Sequence, residues 1–305
     1  MLSTISMMDR IKRIWLIALS SLAIMVTLGI ILNLIQYFFG INLQGSGYQW
    51  LMIMSLVFGF GSAMIGLWIS RRMAKRSYSI KLIDQSEHDH KLSLVYQTVL
   101  RIADQQGIDM PEVWYYQSAD ANAFATGASK NSALVAVSTW LLTRMDDDAI
   151  RGVVWHEMAH ILNGDMVTTT LLQGILNTLV IFLARLIAWL IAWWWDDDNW
   201  WVMSSGSYFL ISNVLDIVFW LGVTLILMWH SRVREFAADA GSVQFLWSKQ
   251  PMLSWLQALQ RLYNPDTIQS DSLSTLKISG KLSGLFASHP KLEDRIAALS
   301  KIAWY

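Results

Sequence analysis

Over much of this chain the apolar residues neither alternate nor recur at helical spacing; they run unbroken. From residue 14 to residue 70 there is no Asp, Glu, Lys or Arg. As a single helix this stretch would measure about 85 Å, nearly three times the roughly 30 Å hydrocarbon core of a bilayer. It must fold back, and the break falls at Gly40 to Tyr48 (GINLQGSGY), where glycines and polar residues end one span near Phe39 and start the next near Gln49. The first span is too long for the apolar region of a signal peptide, about 7–15 residues, and reads as a retained anchor. Two further apolar runs, about 166–195 and about 207–230, are separated by Asp196 to Asp198 and by Ser204 to Gly206. Trp193, Trp194, Trp195, Trp200 and Trp201 crowd that turn, as an interfacial aromatic belt would.

Four transmembrane helices are therefore expected, at about 14–39, 49–70, 166–195 and 207–230. Lys and Arg orient them. Arg10, Lys12 and Arg13 precede the first span; Arg71, Arg72, Lys75 and Arg76 follow the second; Arg232 and Arg234 follow the fourth; the two short turns carry none. By the positive-inside rule this common side is the cytoplasm, with both termini on it. Residues 1–76 then form a first hairpin and 166–230 a second. The polar segments 77–165 and 231–305 meet on the cytoplasmic side as one domain. Within them, Leu92 to Gln106 has the spacing of an amphipathic helix, and Glu112 to Gln117 and Leu134 to Ser138 read as short strands. Asp146 to Asp148 form an acidic start for a helix through Asn163, with Gly164 as its stop. The fold class is α+β and mainly helical.

Composition agrees with the membrane reading and removes other classes. Only 15% of residues are charged and 54% are hydrophobic, against about 25% charged in an average soluble domain. Mean hydropathy is +0.37. Lys and Arg (23) balance Asp and Glu (23), so no basic excess exists to bind a nucleic acid backbone. With no Cys, a metal could be held only by His and carboxylate.

Such a site is written into the helix that ends at Gly164. His156-Glu157-Met158-Ala159-His160 is an H-E-x-x-H, which sets two imidazoles one turn apart on the same face, within reach of one metal ion, and leaves Glu157 beside the first to handle a water. The elongated pattern with a third His downstream would need Gly at 163 and His at 166; the chain has Asn163 and Met166, so a third ligand is remote. Among the acidic candidates Glu235 stands best. Glu235 and Asp239 share a helical face just past the fourth span, so that one can bind metal while the other accepts the N–H of a ligating imidazole. His88-Asp89-His90 could form a second metal site but reads more simply as a solvated loop after the membrane.

The H-E-x-x-H, followed after two spans by Glu235-Phe236-Ala237-Ala238-Asp239, preceded by Asn122-Ala123-Phe124-Ala125-Thr126-Gly127 and closed by Ser288-His289-Pro290, resembles the HtpX family of membrane zinc metalloproteases, relatives of the CAAX prenyl-protein endopeptidases. The resemblance covers essentially the whole chain. It implies a catalytic domain of the gluzincin type with one Zn2+ per chain, held by His156, His160 and Glu235. It further implies Glu157 as general base, Asp239 behind a ligand, and His289 as a catalytic residue near the substrate or the developing oxyanion. Asn122, Ala123, Phe124, Ala125, Thr126 and Gly127 would form the rim against which an extended peptide is laid. The activity implied is cleavage of misfolded or damaged membrane and cytosolic proteins at the bacterial inner membrane. Two rivals are a non-catalytic chaperone or scaffold with structural zinc, which would need no Glu157, and a small transporter, for which four spans and a large polar domain make a poor pore.

Inside the bilayer, Arg185 and Asp216 are each costly by at least about 2.5–3.5 kcal/mol at a helix centre and call for a partner. Counted from the shared turn they sit about 15 and about 12 Å deep. The sequence thus predicts that they form an ion pair that locks the second hairpin; the alternative is that Arg185 snorkels or lines a wet cavity and Asp216 bonds to polar side chains nearby.

Overall fold

In the computed structural model the described residues are 48–77, 80–118, 122–195, 205–246, 248–262 and 289–302, with scattered positions between 24 and 38. Apart from those scattered positions the first expected span lies outside the described residues, as do Asp196 to Asp198, Trp200, Trp201 and Ser288. The chain divides into two compact units, Met1–Gly66 with Thr170–Leu227 and Leu67–Thr169 with Met228–Tyr305.

The described elements are mainly helical. They run α1 (Tyr48–Ser55), a π-helical turn Leu56–Phe60, α2 (Gly61–Ser77), β1 (Lys81–Leu82), α3 (His90–Gln106), β2 (Glu112–Tyr116), β3 (Ala123–Gly127), β4 (Ala133–Ser138), α4 (Thr139–Arg144), α5 (Asp147–Asn163), α6 (Asp165–Trp195), α7 (Ser205–Leu246), α8 (Gln250–Leu262) and α9 (Leu292–Ser300). Among the described residues three stretches are long and apolar enough to cross a membrane: Gln49–Arg76, Asp165–Ile191 and Gly206–Phe245.

In the first unit, small residues let helices touch backbone to backbone, as lipid-embedded helices do where burial supplies no driving force. A Cβ at Gly59, in the π turn, would lie 2.5 Å from the backbone nitrogen of Thr178, and one at Gly174 would lie 2.7 Å from the Phe60 ring. The expected ion pair is present: Arg185 Nη1 donates to Asp216 Oδ1 at 2.7 Å and Oδ2 at 3.0 Å. Its energy can be read from a double-mutant cycle on thermal stability in detergent. Arg185→Ala and Asp216→Ala should each destabilise the protein by leaving a lone charge, and the double variant should lose about 0.5–3 kcal/mol less than their sum. Additive losses would mean that the contact contributes nothing.

The second unit is built on a four-stranded mixed sheet in the order β1-β2-β4-β3. Strand β4 is buried along its whole length, parallel to β2 and antiparallel to β3. This leaves β3 at an edge. Neither β1 nor β3 is marked by the alternation of apolar and polar residues that a half-buried strand shows, and β3 keeps its register through main-chain pairing, Phe124 with Ala136 and Ala125 with Val135. Helix α3 starts where Asp89 accepts from the backbone N–H groups of Lys91 and Leu92 and stops at Gly107, whose φ of 62° only glycine adopts freely. Its apolar stripe, including Val95, Val99 and Ile102, packs in the core with Val135 and Val137 of β4 and Ile150 of α5.

Helix α5 has the start and stop written in its sequence. Asp146 accepts from the Ala149 N–H at 2.8 Å, and Gly164 closes the helix at φ 73°. A Cβ at Gly152 would meet the Pro251 carbonyl oxygen at 2.2 Å, so the bare glycine is what lets α8 lie directly against α5. At the other side of the sheet, Glu112 of β2 receives Arg71 and Lys75 from α2, each at 2.6 Å, and the Trp114 indole at 2.9 Å.

Candidate metal centre

Helix α5 carries the buried His156 and Glu157 and, one turn on, the partly buried His160, and α7 runs on without a break from its apolar stretch to bring up Glu235 and Asp239. His156 and His160 point their Nε2 atoms at each other, 3.1 Å apart. Glu235 closes the triangle, with Oε1 3.4 Å from His160 Nε2 and Oε2 3.5 Å from His156 Nε2. One ligand atom from each of the three residues lies within 4.8 Å of the others, and this is the group of that kind found among the described residues.

The outer faces of the two rings decide their protonation. His156 Nδ1 lies 2.9 Å from Asp239 Oδ1, and His160 Nδ1 lies 2.6 Å from Asp165 Oδ2. A carboxylate can only accept, so each Nδ1 carries a proton, and in the neutral ring Nε2 is then the atom with the lone pair. Two lone pairs and a carboxylate then converge on one point, an arrangement that repels itself without a cation between them. A tetrahedral ion with M–N bonds of about 2.0–2.1 Å holds two ligand nitrogens roughly 3.3 Å apart, close to the spacing here. Glu235 Oε2 makes the same point: it is buried and accepts no well-aligned hydrogen bond, although His289 Nδ1 and Arg295 Nη1 approach to 3.0 and 3.1 Å. The residues fit a metal. Burial on its own would lower the pKa of both imidazoles, but Asp239 and Glu235 raise that of His156, and Glu235 with the charge of Glu157 raises that of His160. The cluster draws in positive charge, whether as protons or as a metal.

Arg295 organises the far side. It is 3% exposed and grips Asp239 with two parallel bonds, Nη2 to Oδ1 at 2.6 Å and Nε to Oδ2 at 2.8 Å. Its guanidinium lies 5.1 Å from the centre of the Trp255 ring, which in turn packs 4.9 Å from the His156 ring. Sequence reasoning missed Arg295, Trp255 and Asp165. An Arg in the short amphipathic helix α9 reads as a solvated charge, and an Asp after a helix-stopping Gly reads as the start of the next helix; only docking reveals their partners.

A cleft of about 740 Å³ opens above the cluster. Its walls include His156, Glu157, Glu235 and His289, and its edge is formed by Asn122, Ala123, Phe124 and Ala125. Thr126 and Gly127 complete the strand, with a Cβ at Gly127 landing 2.2 Å from the Ser132 carbonyl oxygen. Glu157 is 8% exposed. His289 is largely exposed in the cleft wall, with its Nδ1 3.0 Å from Glu235 Oε2. Away from the cleft, Asp89 is taken up as the cap of α3, and His90 Nε2 meets Asp147 Oδ2 at 2.9 Å on the surface.

Comparison with known proteins agrees with this geometry. The model of peptidase family M48 matches residues 90–303. The chain is 47% identical to "Protease HtpX" of Glaesserella parasuis serovar 5 (strain SH0165) over 290 residues, 95% of this chain and 99% of that one. It is 45% identical to "Protease HtpX" of Haemophilus influenzae (strain 86-028NP), with the same coverage. The crystal structure of S. mikatae Ste24p superposes with a TM-score of 0.56 at 19% identity, covering 98% of this chain and 66% of that one, just under two thirds of its length. At that identity the likeness speaks for the fold alone.

Proposed function

The chain belongs to peptidase family M48 and is a membrane metalloprotease, and from that premise we propose that it is a zinc-dependent endopeptidase of the bacterial inner membrane that cuts misfolded or damaged membrane and cytosolic proteins. The observation that carries the reading is the convergence of the His156 and His160 Nε2 atoms and the Glu235 carboxylate beside Glu157, on the floor of a cleft edged by strand β3. His156, His160 and Glu235 hold one zinc per chain. When bound, the metal lowers the pKa of a coordinated water towards about 7 and polarises the scissile carbonyl.

The remaining work belongs to the chain. Glu157 accepts a proton from the attacking water and passes it to the leaving amine. Asp239, clamped by Arg295, fixes the His156 ring and its tautomer. His289 stands at the mouth of the cleft, where an imidazole N–H can support the developing oxyanion. The outer edge of β3 with Asn122 before it, residues 122–127, takes the substrate as an added strand, and main-chain pairing of that kind holds a peptide with little demand on its sequence. Four spans, with both termini and the second unit in the cytoplasm, follow from the Lys and Arg that flank the apolar stretches.

The test is cleavage of casein and of an unfolded membrane protein by the full chain in detergent. A strong chelator should abolish cleavage as the metal leaves, and readded zinc should restore it with one ion per chain. Activity that survives complete removal of metal would overturn the reading.

A further inference from the structure

The structure assigns Asp165 as a positioning residue of the metal site, the carboxylate that fixes His160 as Asp239 fixes His156. Asp165 is 6% exposed and holds His160 Nδ1 at 2.6 Å through Oδ2. Its other oxygen makes an ion pair with Arg234, the residue just before Glu235 on α7. Each ligating imidazole is thus backed by a carboxylate that is itself held by a guanidinium: Asp239 by Arg295 on α9, and Asp165 by Arg234 on α7.

Local geometry explains how Asp165 reaches its target. In a continuous α-helix a residue five positions on lies about 140° round the axis and faces away. Here Gly164, at φ 73°, ends α5 and turns the chain back, so that Asp165, the first residue of α6, returns towards the last turn of α5 and faces His160. An acidic residue at a helix start often serves only the helix end. At this start the Val167 and Thr168 N–H groups are bonded to the Gly164 carbonyl, and the Asp165 oxygens are turned to His160 and Arg234 instead. The consequence is a fixed ring orientation, with the proton of the neutral imidazole kept on Nδ1 and Nε2 of His160 aimed at Glu235 and His156.

The inference rests on the reading of His156, His160 and Glu235 as metal ligands, and the experiment separates the two. Zinc affinity of the full chain in detergent is measured by competition with a chromophoric chelator for native protein, His160→Ala, Asp165→Ala and Arg234→Gln; Co2+-loaded samples of each are compared by visible absorption. Asp165→Ala should bind zinc about 10–100-fold more weakly and should alter the Co2+ bands, while Arg234→Gln, which keeps the His160 contact, should be affected less in both. Native affinity and native bands in Asp165→Ala would overturn the assignment. So would equal effects in Asp165→Ala and Arg234→Gln, because the ion pair alone would then account for the residue. If His160→Ala also binds as tightly as the native chain, the metal reading itself falls. Should Asp165→Ala not fold, Asp165→Leu, of similar size but with no acceptor, takes its place with the same outcomes.

Discussion

Glu157→Gln should keep its metal and lose peptidase activity by about 10²–10⁴-fold, the range that a positioned general base contributes. The substitution exchanges one carboxylate oxygen for an NH2 group of almost the same size, so the packing around this nearly buried side chain is preserved. The three atoms proposed to hold the metal are on other residues, and neither Asp239 nor Asp165 touches Glu157 among the contacts that orient the rings. What disappears is a group able to take a proton from water at neutral pH and give it up again to an amine. The measurement is kcat/KM on an unfolded substrate with metal content determined on the same sample. A variant that holds zinc and cleaves within tenfold of the native rate would remove Glu157 from its role and would favour a site whose metal is structural.

Glu235→Ala should have the other large effect, on the metal itself. Two imidazoles alone offer an incomplete set for an ion that takes three protein ligands in catalytic sites. The carboxylate also offsets Arg295, whose Nη1 lies 3.1 Å from Oε2, so that its loss leaves unbalanced positive charge pointing at the place where a cation must sit. Zinc affinity should fall well beyond the roughly 10–100-fold expected for Asp239→Ala, where only the support behind His156 is removed. Both variants can be measured by dialysis against a chelating buffer followed by elemental analysis. Equal zinc in Glu235→Ala and the native chain would mean that another acid holds the metal.

How far the sequence carried these assignments depends on the range of the interactions involved. The H-E-x-x-H spacing, the Asp146 start and the Gly164 stop are local, and each acts within one or two helical turns; helix α5 was therefore readable to within a residue of its ends. The Glu235 and Asp239 pairing was readable for the same reason, since i, i+4 neighbours share a face in any helix. Depth counting brought Arg185 and Asp216 together because a short turn and a fixed rise leave few other options. Contacts that need two distant elements to dock were silent. Trp255 reaches His156 only because Gly152 admits α8, and no pattern around Gly152 announces that its missing Cβ faces the Pro251 carbonyl. Strand β3 was recognisable as a segment with a role, but AFATG lacks the alternation that would mark it as a strand. Helix α7 continues for 42 residues from Ser205 to Leu246, past the Arg232 and Arg234 that mark the edge of its apolar run, because charge ends a membrane span but does not end a helix.

The Arg185 and Asp216 pair also bears on how this sequence can drift over generations. Replacing either residue alone strands its partner as an isolated charge among apolar helices, which is strongly destabilising, whereas replacing both with apolar residues of similar volume is often neutral or better. Positions 185 and 216 are therefore not free to vary one at a time. A paired change at both positions should be tolerated in this chain where either change alone is not.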